Sequence, residues 1–249
     1  MILRRLSQSL KAQNWTAIWI EFILLVSGVF LGIQVSNWNA ERENRTREKI
    51  YITNLVEDIR SDIVEIDNII RISSARLSAL NYLIGSATKK ELPTGFDSAR
   101  GRIEIEKVPP FDENDPNTIG FTLFILSNLD GSRLTYDSMI NTGAIGIFRD
   151  DSLVRSIRSY YANVDLVYSF DKALLESRWK MVDAQQQSGL SPVDLMSPME
   201  MTEAFAKDRR LLAAASNYWL YTNRQIKEMR ALRLKADSLV AKLESEKLK

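Results

Sequence analysis

The stretch Ile52–Ile84, ITNLVEDIRSDIVEIDNIIRISSARLSALNYLI, decides the fold. Ile52, Val56, Ile59, Ile63, Ile66, Ile70, Ser73, Leu77, Leu80 and Ile84 recur at alternating steps of four and three, the coiled-coil spacing of a helix that buries one seam. No Gly or Pro interrupts the chain from Asn37 to Ile84, so nothing local stops this helix upstream. Glu57, Asp58, Asp62, Glu65 and Asp67 stand mainly off that line. They read as a solvated flank rather than a cation site, because acids off the apolar stripe of a helix face water.

Upstream lies Trp19–Trp38, WIEFILLVSGVFLGIQVSNW. Twenty helical residues rise about 30 Å, the thickness of a bilayer's hydrocarbon core, so residues 15–38 read as a transmembrane helix. Trp15, Trp19 and Trp38 sit near its ends, where indoles prefer the headgroup layer. A signal peptide is the weaker reading. The apolar run is long for one, and Val35-Ser36-Asn37-Trp38-Asn39 lacks a small-x-small cleavage pattern; Arg4-Arg5-Leu6 only faintly suggests twin-arginine export.

One acid, Glu21, interrupts the apolar run. At 100° per residue Gly28 and Gly32 fall within about 20° of Glu21, with Ala17 and Leu25 beside them. The acid therefore shares a face with a small-x-x-x-small pair, which makes that face a candidate helix-packing surface. Glu21 near a helix N-terminus is expected to be interfacial or paired with a polar group on a partner helix; the alternative is a proton or ion relay in an oligomeric channel. Lys and Arg flank the span on both sides. The tail 1–14 is purely basic, whereas Glu41, Glu43 and Glu48 are mixed with the Arg and Lys residues just beyond the span, a charged neck to the helix. The expected topology has the N-terminus cytoplasmic and the domain 39–249 outside a bacterial inner membrane.

Downstream, Pro93, Gly95, Gly101, Pro109, Pro110 and Pro116 punctuate an irregular insertion, about 93–130. Ile103-Glu104-Ile105-Glu106 alternates like a strand and admits a small β-hairpin there; Ile119–Leu126 reads equally as strand or buried helix. Asp112–Asn117 resembles a calcium loop only superficially, since Pro116 and Asn117 stand where a ligand and a Gly belong, and it reads as a turn. Helical signals return from Ser132 to Asn141, with Gly143 placed as the C-terminal cap.

A long helix over about 150–188 shows Leu153, Ile157, Tyr160, Val164, Val167 and Leu174 on one side. Ser197-Pro198-Met199-Glu200 is a capping box that starts a short helix. A last helix, about 209–246, carries Leu211, Ala215, Tyr218, Thr222, Ile226, Met229, Leu232, Ala236, Leu239 and Leu243 at three-and-four spacing. With the helix over about 39–87 this predicts a mainly α protein: a transmembrane helix continuing into an elongated antiparallel helical bundle. Tyr160, Tyr161, Tyr168 and Trp219, with Trp179, Tyr218 and Tyr221, read chiefly as core packing and secondarily as the lining of a ligand pocket.

Composition narrows the function. The chain has neither Cys nor His, which removes disulfides, thiolate nucleophiles, imidazole catalysis and ordinary zinc sites. Thirty-three basic against 32 acidic residues, well mixed, give no basic patch for nucleic acid. Ser-x-x-Lys occurs at Ser86–Lys89, Ser169–Lys172 and Ser177–Lys180 without its companion motifs, and no phosphate loop or G-x-S-x-G pattern exists, so no catalytic residue, cofactor or metal is expected.

Glu21, Gly28, Gln34, Asn37-Trp38-Asn39 and Glu41-Arg42 together resemble the N-terminal signature of an uncharacterised family of bacterial single-pass membrane proteins. In that family an acid opens the span and an NWN-like motif closes it. Tyr136–Gly143 with Leu153–Tyr161 is similar to its second block. The resemblance implies a membrane-anchored helical domain in a bacterium and supplies no catalytic residues. The expected function is a membrane-anchored interaction, scaffold or sensory-type accessory subunit. It contacts membrane lipid, binds a protein partner or a second copy of itself, and packs through Gly28 and Gly32.

Overall fold

The computed structural model of the chain describes residues 15–98, 101–114, 119–191 and 196–247. The basic tail 1–14 and the Pro116 and Asn117 positions of the expected turn lie outside the described residues. In the described part of that turn Asp112 Oδ1 accepts the Asn114 backbone N–H at 2.9 Å, a side-chain-closed turn rather than an ion loop.

Among the described residues six α-helices follow one another: α1 Trp15–Thr88, α2 Ile119–Phe124, α3 Leu134–Asn141, α4 Asp151–Gln187, α5 Pro198–Lys207 and α6 Arg209–Lys247. Two short strands, β1 Gly95–Ser98 and β2 Gly101–Glu104, pair antiparallel as a small hairpin in the insertion. The ambiguous run Ile119–Leu126 resolves as the short helix α2 with irregular chain after it. The chain divides into two compact units, residues 1–51 and 52–249.

In the second unit the long helices begin and end where the sequence supplies caps. Asp150 accepts the Ser152 N–H to open α4. Gly189, at φ +73°, closes it in the left-handed region that Gly adopts without steric cost. Ser197 and Glu200 form the full capping box of α5, with Pro198 at its first position. Gly143, at φ +70°, stands just past α3 as expected. The stripes read from α4 and α6 are all buried. Leu77, Leu80 and Leu83 of α1 join Leu174 and Met181 of α4, Met201 and Phe205 of α5, and Leu211, Tyr218 and Ile226 of α6 in one apolar core.

The buried stripe of α1 takes in most of the expected seam and extends onto the flank beside it. Its buried line is Ile52, Leu55, Ile59, Asp62, Ile66, Ile69, Ser73, Arg76, Leu80 and Leu83, each 0–1% exposed. This line keeps the same heptad steps and shares Ile52, Ile59, Ile66, Ser73 and Leu80 with the apolar reading, whose Val56, Leu77 and Ile84 are buried beside it. Ile63 and Ile70 are merely half-buried. Two of the added positions carry charges, Asp62 and Arg76, so hydrophobicity alone left this flank out of the stripe. Asp62 is thus no solvated acid.

Truncating Leu80 to Ala removes fully buried methyls from the core and is expected to cost about 3 kcal/mol in denaturant unfolding of the detergent-solubilised protein. Val64→Ala, at a position 71% exposed on the same helix, should stay within about 0.5 kcal/mol of the native chain.

Candidate functional site

In the first unit the expected span is helical throughout residues 15–38. None of its apolar window is buried by the protein. Trp15, Trp19 and Trp38 are exposed, and Trp19 meets Phe22 edge to face with centroids 6.0 Å apart. A Cβ added at Gly28 or Gly32 would meet nothing within 4 Å, so the small-residue face shared with Ala17, Glu21 and Leu25 is open. Glu21 is half-buried, and its Oε2 has no hydrogen-bond partner among the described residues. The charged neck is partly self-paired: Arg45 bonds Glu41 at 2.7 Å and also grips Glu48. Glu48 is buried, which departs from the solvated neck expected there.

The second unit concentrates its polar chemistry around one irregular segment, residues 125–133, and the helix ends that flank it. Its backbone leaves helix α2 and takes no part in a sheet, so its donors and acceptors must be satisfied by side chains. The acids of α1 serve the donors. Asp62 accepts the Ser132 N–H at 2.7 Å, Glu65 accepts those of Asp130 and Gly131 at 2.9 and 3.3 Å, and Asp58 accepts that of Thr135 at 3.3 Å. The Ser132 and Thr135 attachments stand at the N-terminal end of α3, whose own cap residue Arg133 provides no side-chain bond; carboxylates suit the positive end of a helix.

The carbonyls are served from the other helices and from Arg76. Tyr218 donates to the Leu123 carbonyl at 3.3 Å, Arg178 to that of Phe124 at 3.0 Å, and Gln225 to that of Ser127 at 3.2 Å. Arg76 donates to the carbonyl of Ile125, Tyr168 to that of Asp130, and Tyr161 to that of Ser132 at 3.3 Å. Gln225 forms the hub of a smaller network. Its Oε1 accepts from Ser73 at 2.6 Å and Arg76 at 3.2 Å, while its Nε2 reaches Asp171 at 3.3 Å. Asn223 similarly accepts the Glu106 N–H and donates to the Glu104 carbonyl, holding the chain where it leaves β2.

The electrostatics follow from burial. Asp62 is held above the usual carboxylate range mainly by loss of water, against the pull of the Ser132 N–H and the Tyr160 hydroxyl that donates to it at 2.7 Å. Desolvation raises Asp171 to about 6, opposed by its Gln225 bond and the nearby Arg76 charge. Burial pulls the Arg76 guanidinium below its ordinary value; it lies against the Tyr218 ring, 5.5 Å from the centroid.

The four residues proposed as a pocket lining separate into two places. Tyr160, Tyr161 and Tyr168 gather on the 130–132 segment, where Tyr161 stacks on Tyr136 at 4.1 Å under the Arg133 guanidinium. Trp219 lies beside Asn81, to which its indole N–H donates at 2.6 Å. There it borders a surface cavity of about 410 Å³ with Gly85, Leu92 and Ile105. Trp179 is exposed, and Tyr218 is in the core. No group of three acids able to hold a metal occurs among the described residues.

The residues missed by sequence are Asp62, Arg76, Arg178 and Gln225. A signal existed for the first two: they stand in step with Leu55, Ile69 and Leu83, seven residues apart along an otherwise apolar line.

Residues 21–89 match a family of unknown function, DUF6090. The matched stretch runs from Glu21 to Lys89, just past the end of α1, and so takes in the open glycine face and the polar seam. It agrees with the resemblance to an uncharacterised family. Comparison with curated proteins and with solved structures gives no match.

Asp62→Ala should destabilise the second unit by about 3 kcal/mol in denaturant unfolding, because it strips a buried hydroxyl and a backbone N–H of their acceptor. The folded state holds a proton on Asp171 up to about pH 6, whereas an unfolded Asp loses it near pH 4. The acid's contribution is therefore complete below about pH 4 and is lost as pH rises through about 6. Thermal melts across that window should show Asp171→Asn gaining on the native chain toward neutral pH.

Proposed function

We propose that this chain is a single-pass membrane-anchored interaction or scaffold subunit without catalytic activity. Its helical bundle binds a protein partner, and its span packs on a second copy through Gly28 and Gly32. The observation that carries this reading is the exposure of the apolar segment 15–38: a long apolar helix that nothing among the described residues buries finds its solvent in lipid. The open Cβ positions at Gly28 and Gly32 support close approach of another helix there. The chain has neither His nor Cys, and Asp62 and Arg178 inside the bundle hold its own backbone, which favours binding over chemistry. The bundle lies outside the cytoplasm in this reading.

The unpartnered Glu21 Oε2 favours one second reading, an oligomeric proton path lined by that carboxyl. Glu21→Gln in reconstituted vesicles separates the two, since loss of proton flux belongs to the path alone.

Single cysteines at Ser7 and Ser169 of this Cys-free chain test the topology with a membrane-impermeant maleimide on intact cells. Labelling of position 169 only is expected; labelling of position 7 only would place the bundle in the cytoplasm. Gly28→Ile and Gly32→Ile should abolish cross-linked dimers in membranes while leaving the circular dichroism of the bundle unchanged. Undiminished dimers in both variants would overturn the packing assignment.

A further inference from the structure

Many of the inward-facing polar groups of the bundle hold its own backbone, whereas a second set lines a groove on its outer face. Between the N-terminal half of α4 and the C-terminal half of α6 runs a groove enclosing about 460 Å³. Ser152, Arg155, Ser156 and Ser159 line one wall, and Lys235, Ser238 and Lys242 the other, with Tyr160 and Leu239 also in the lining. The spacing is what places them together: steps of three and four put four residues of α4 on one helix face, and Lys235 and Lys242, seven apart, on the facing one.

Every charged group in this lining is a cation. None of Arg155, Lys235 and Lys242 has a carboxylate within ion-pair distance among the described residues. Lys242 instead reaches across the groove to the Ser156 hydroxyl at 2.9 Å, and Lys235 donates to the Asn163 amide oxygen. The neighbouring acids are engaged elsewhere. Asp237 pairs with Arg233, Glu244 with Arg60 and Asp165 with Arg133, while Asp150 caps α4 and Asp62 holds Tyr160 and Ser132. Asp151, exposed in the first turn of α4 and four residues before Arg155, and Glu246, four residues after Lys242 and engaged in an interaction of its own, are the other acids near this end, against three cations.

Three cations and four hydroxyls, with no carboxylate among them, form a set of donors that lacks an acceptor of matching charge. Fixed guanidinium and ammonium groups flanked by hydroxyls are what the acceptor-only oxygens of a phosphoryl group require. Arg can take two of those oxygens at once, and Lys acts as a point charge. We propose that this α4/α6 groove binds a phosphoryl group, carried either on a free phosphate compound or on an anionic phospholipid headgroup. The site rests on the second unit alone and stands whether or not the chain acts as a scaffold.

The test uses the full chain in neutral maltoside micelles and isothermal titration calorimetry with two probes, inorganic phosphate and monomeric short-chain phosphatidylglycerol. The expected result is saturable binding of at least one probe that weakens tenfold or more in the Arg155→Gln, Lys242→Gln double variant. The same binding should be unchanged in Lys180→Gln, an exposed cation elsewhere on α4. Binding of phosphate alone assigns a soluble ligand; binding of phosphatidylglycerol, with or without phosphate, assigns the headgroup. Absence of saturable binding of either probe, or equal affinity in the double variant, overturns the proposal. Both altered residues are exposed, and circular dichroism of the variant separates loss of the site from loss of the fold.

Discussion

A stretch of main chain held among helices without a helix or strand of its own must still find partners for its N–H and C=O groups, and the bundle is organised around that obligation. Residues 125–133 meet it largely through side chains. Carboxylates of α1 take the N–H groups, and guanidinium, amide and hydroxyl groups of α1, α4 and α6 take the carbonyls. Each of these side chains carries a desolvation penalty that the backbone contact offsets. Removing one of the buried members, such as Arg76 or Tyr218, leaves a buried group without its partner, so the helices and the segment are mutually dependent.

The same arrangement constrains register. Asp62 and Arg76 stand two heptads apart on one seam and are matched to groups of opposite character, N–H at Ser132 and C=O at Ile125. Sliding α1 by two heptads would set a carboxylate against a carbonyl. A slip of one heptad would bury a charge among the apolar layers that hold Ile69 or Leu55. An all-apolar seam would pack in any of these registers, and the charged positions discriminate among them.

The outer face of α4 and α6 shows the complementary case, in which polar groups near one another have no obligation inside the chain. Arg155, Lys235 and Lys242 line a groove whose surrounding acids are for the most part committed to other partners. Charge left over after internal pairing is the feature that distinguishes a surface able to bind an anion from one that is merely soluble.

Periodicity, caps and apolar length were local properties and therefore legible. The apolar helix 15–38, the stripes of α4 and α6, the capping box at Ser197 and the terminating Gly143 and Gly189 all depend on neighbours within a turn or two. The open face of Gly28 and Gly32 beside Glu21 needed only the helical period. The seam of α1 was legible at its apolar positions but not at its charged ones. Hydrophobicity assigns charged residues to water, and whether Asp62 and Arg76 could be buried depended on a segment more than forty residues downstream. For the same reason Tyr160 and Trp219, both aromatic positions on long helices, parted company: each went to the polar atom that tertiary folding brought within reach, Asp62 for one and Asn81 for the other. The sequence by itself determined where helices begin, end and turn an apolar face. Tertiary structure alone decided which charges could leave water, because the partners that compensate a buried charge are brought to it only by the fold.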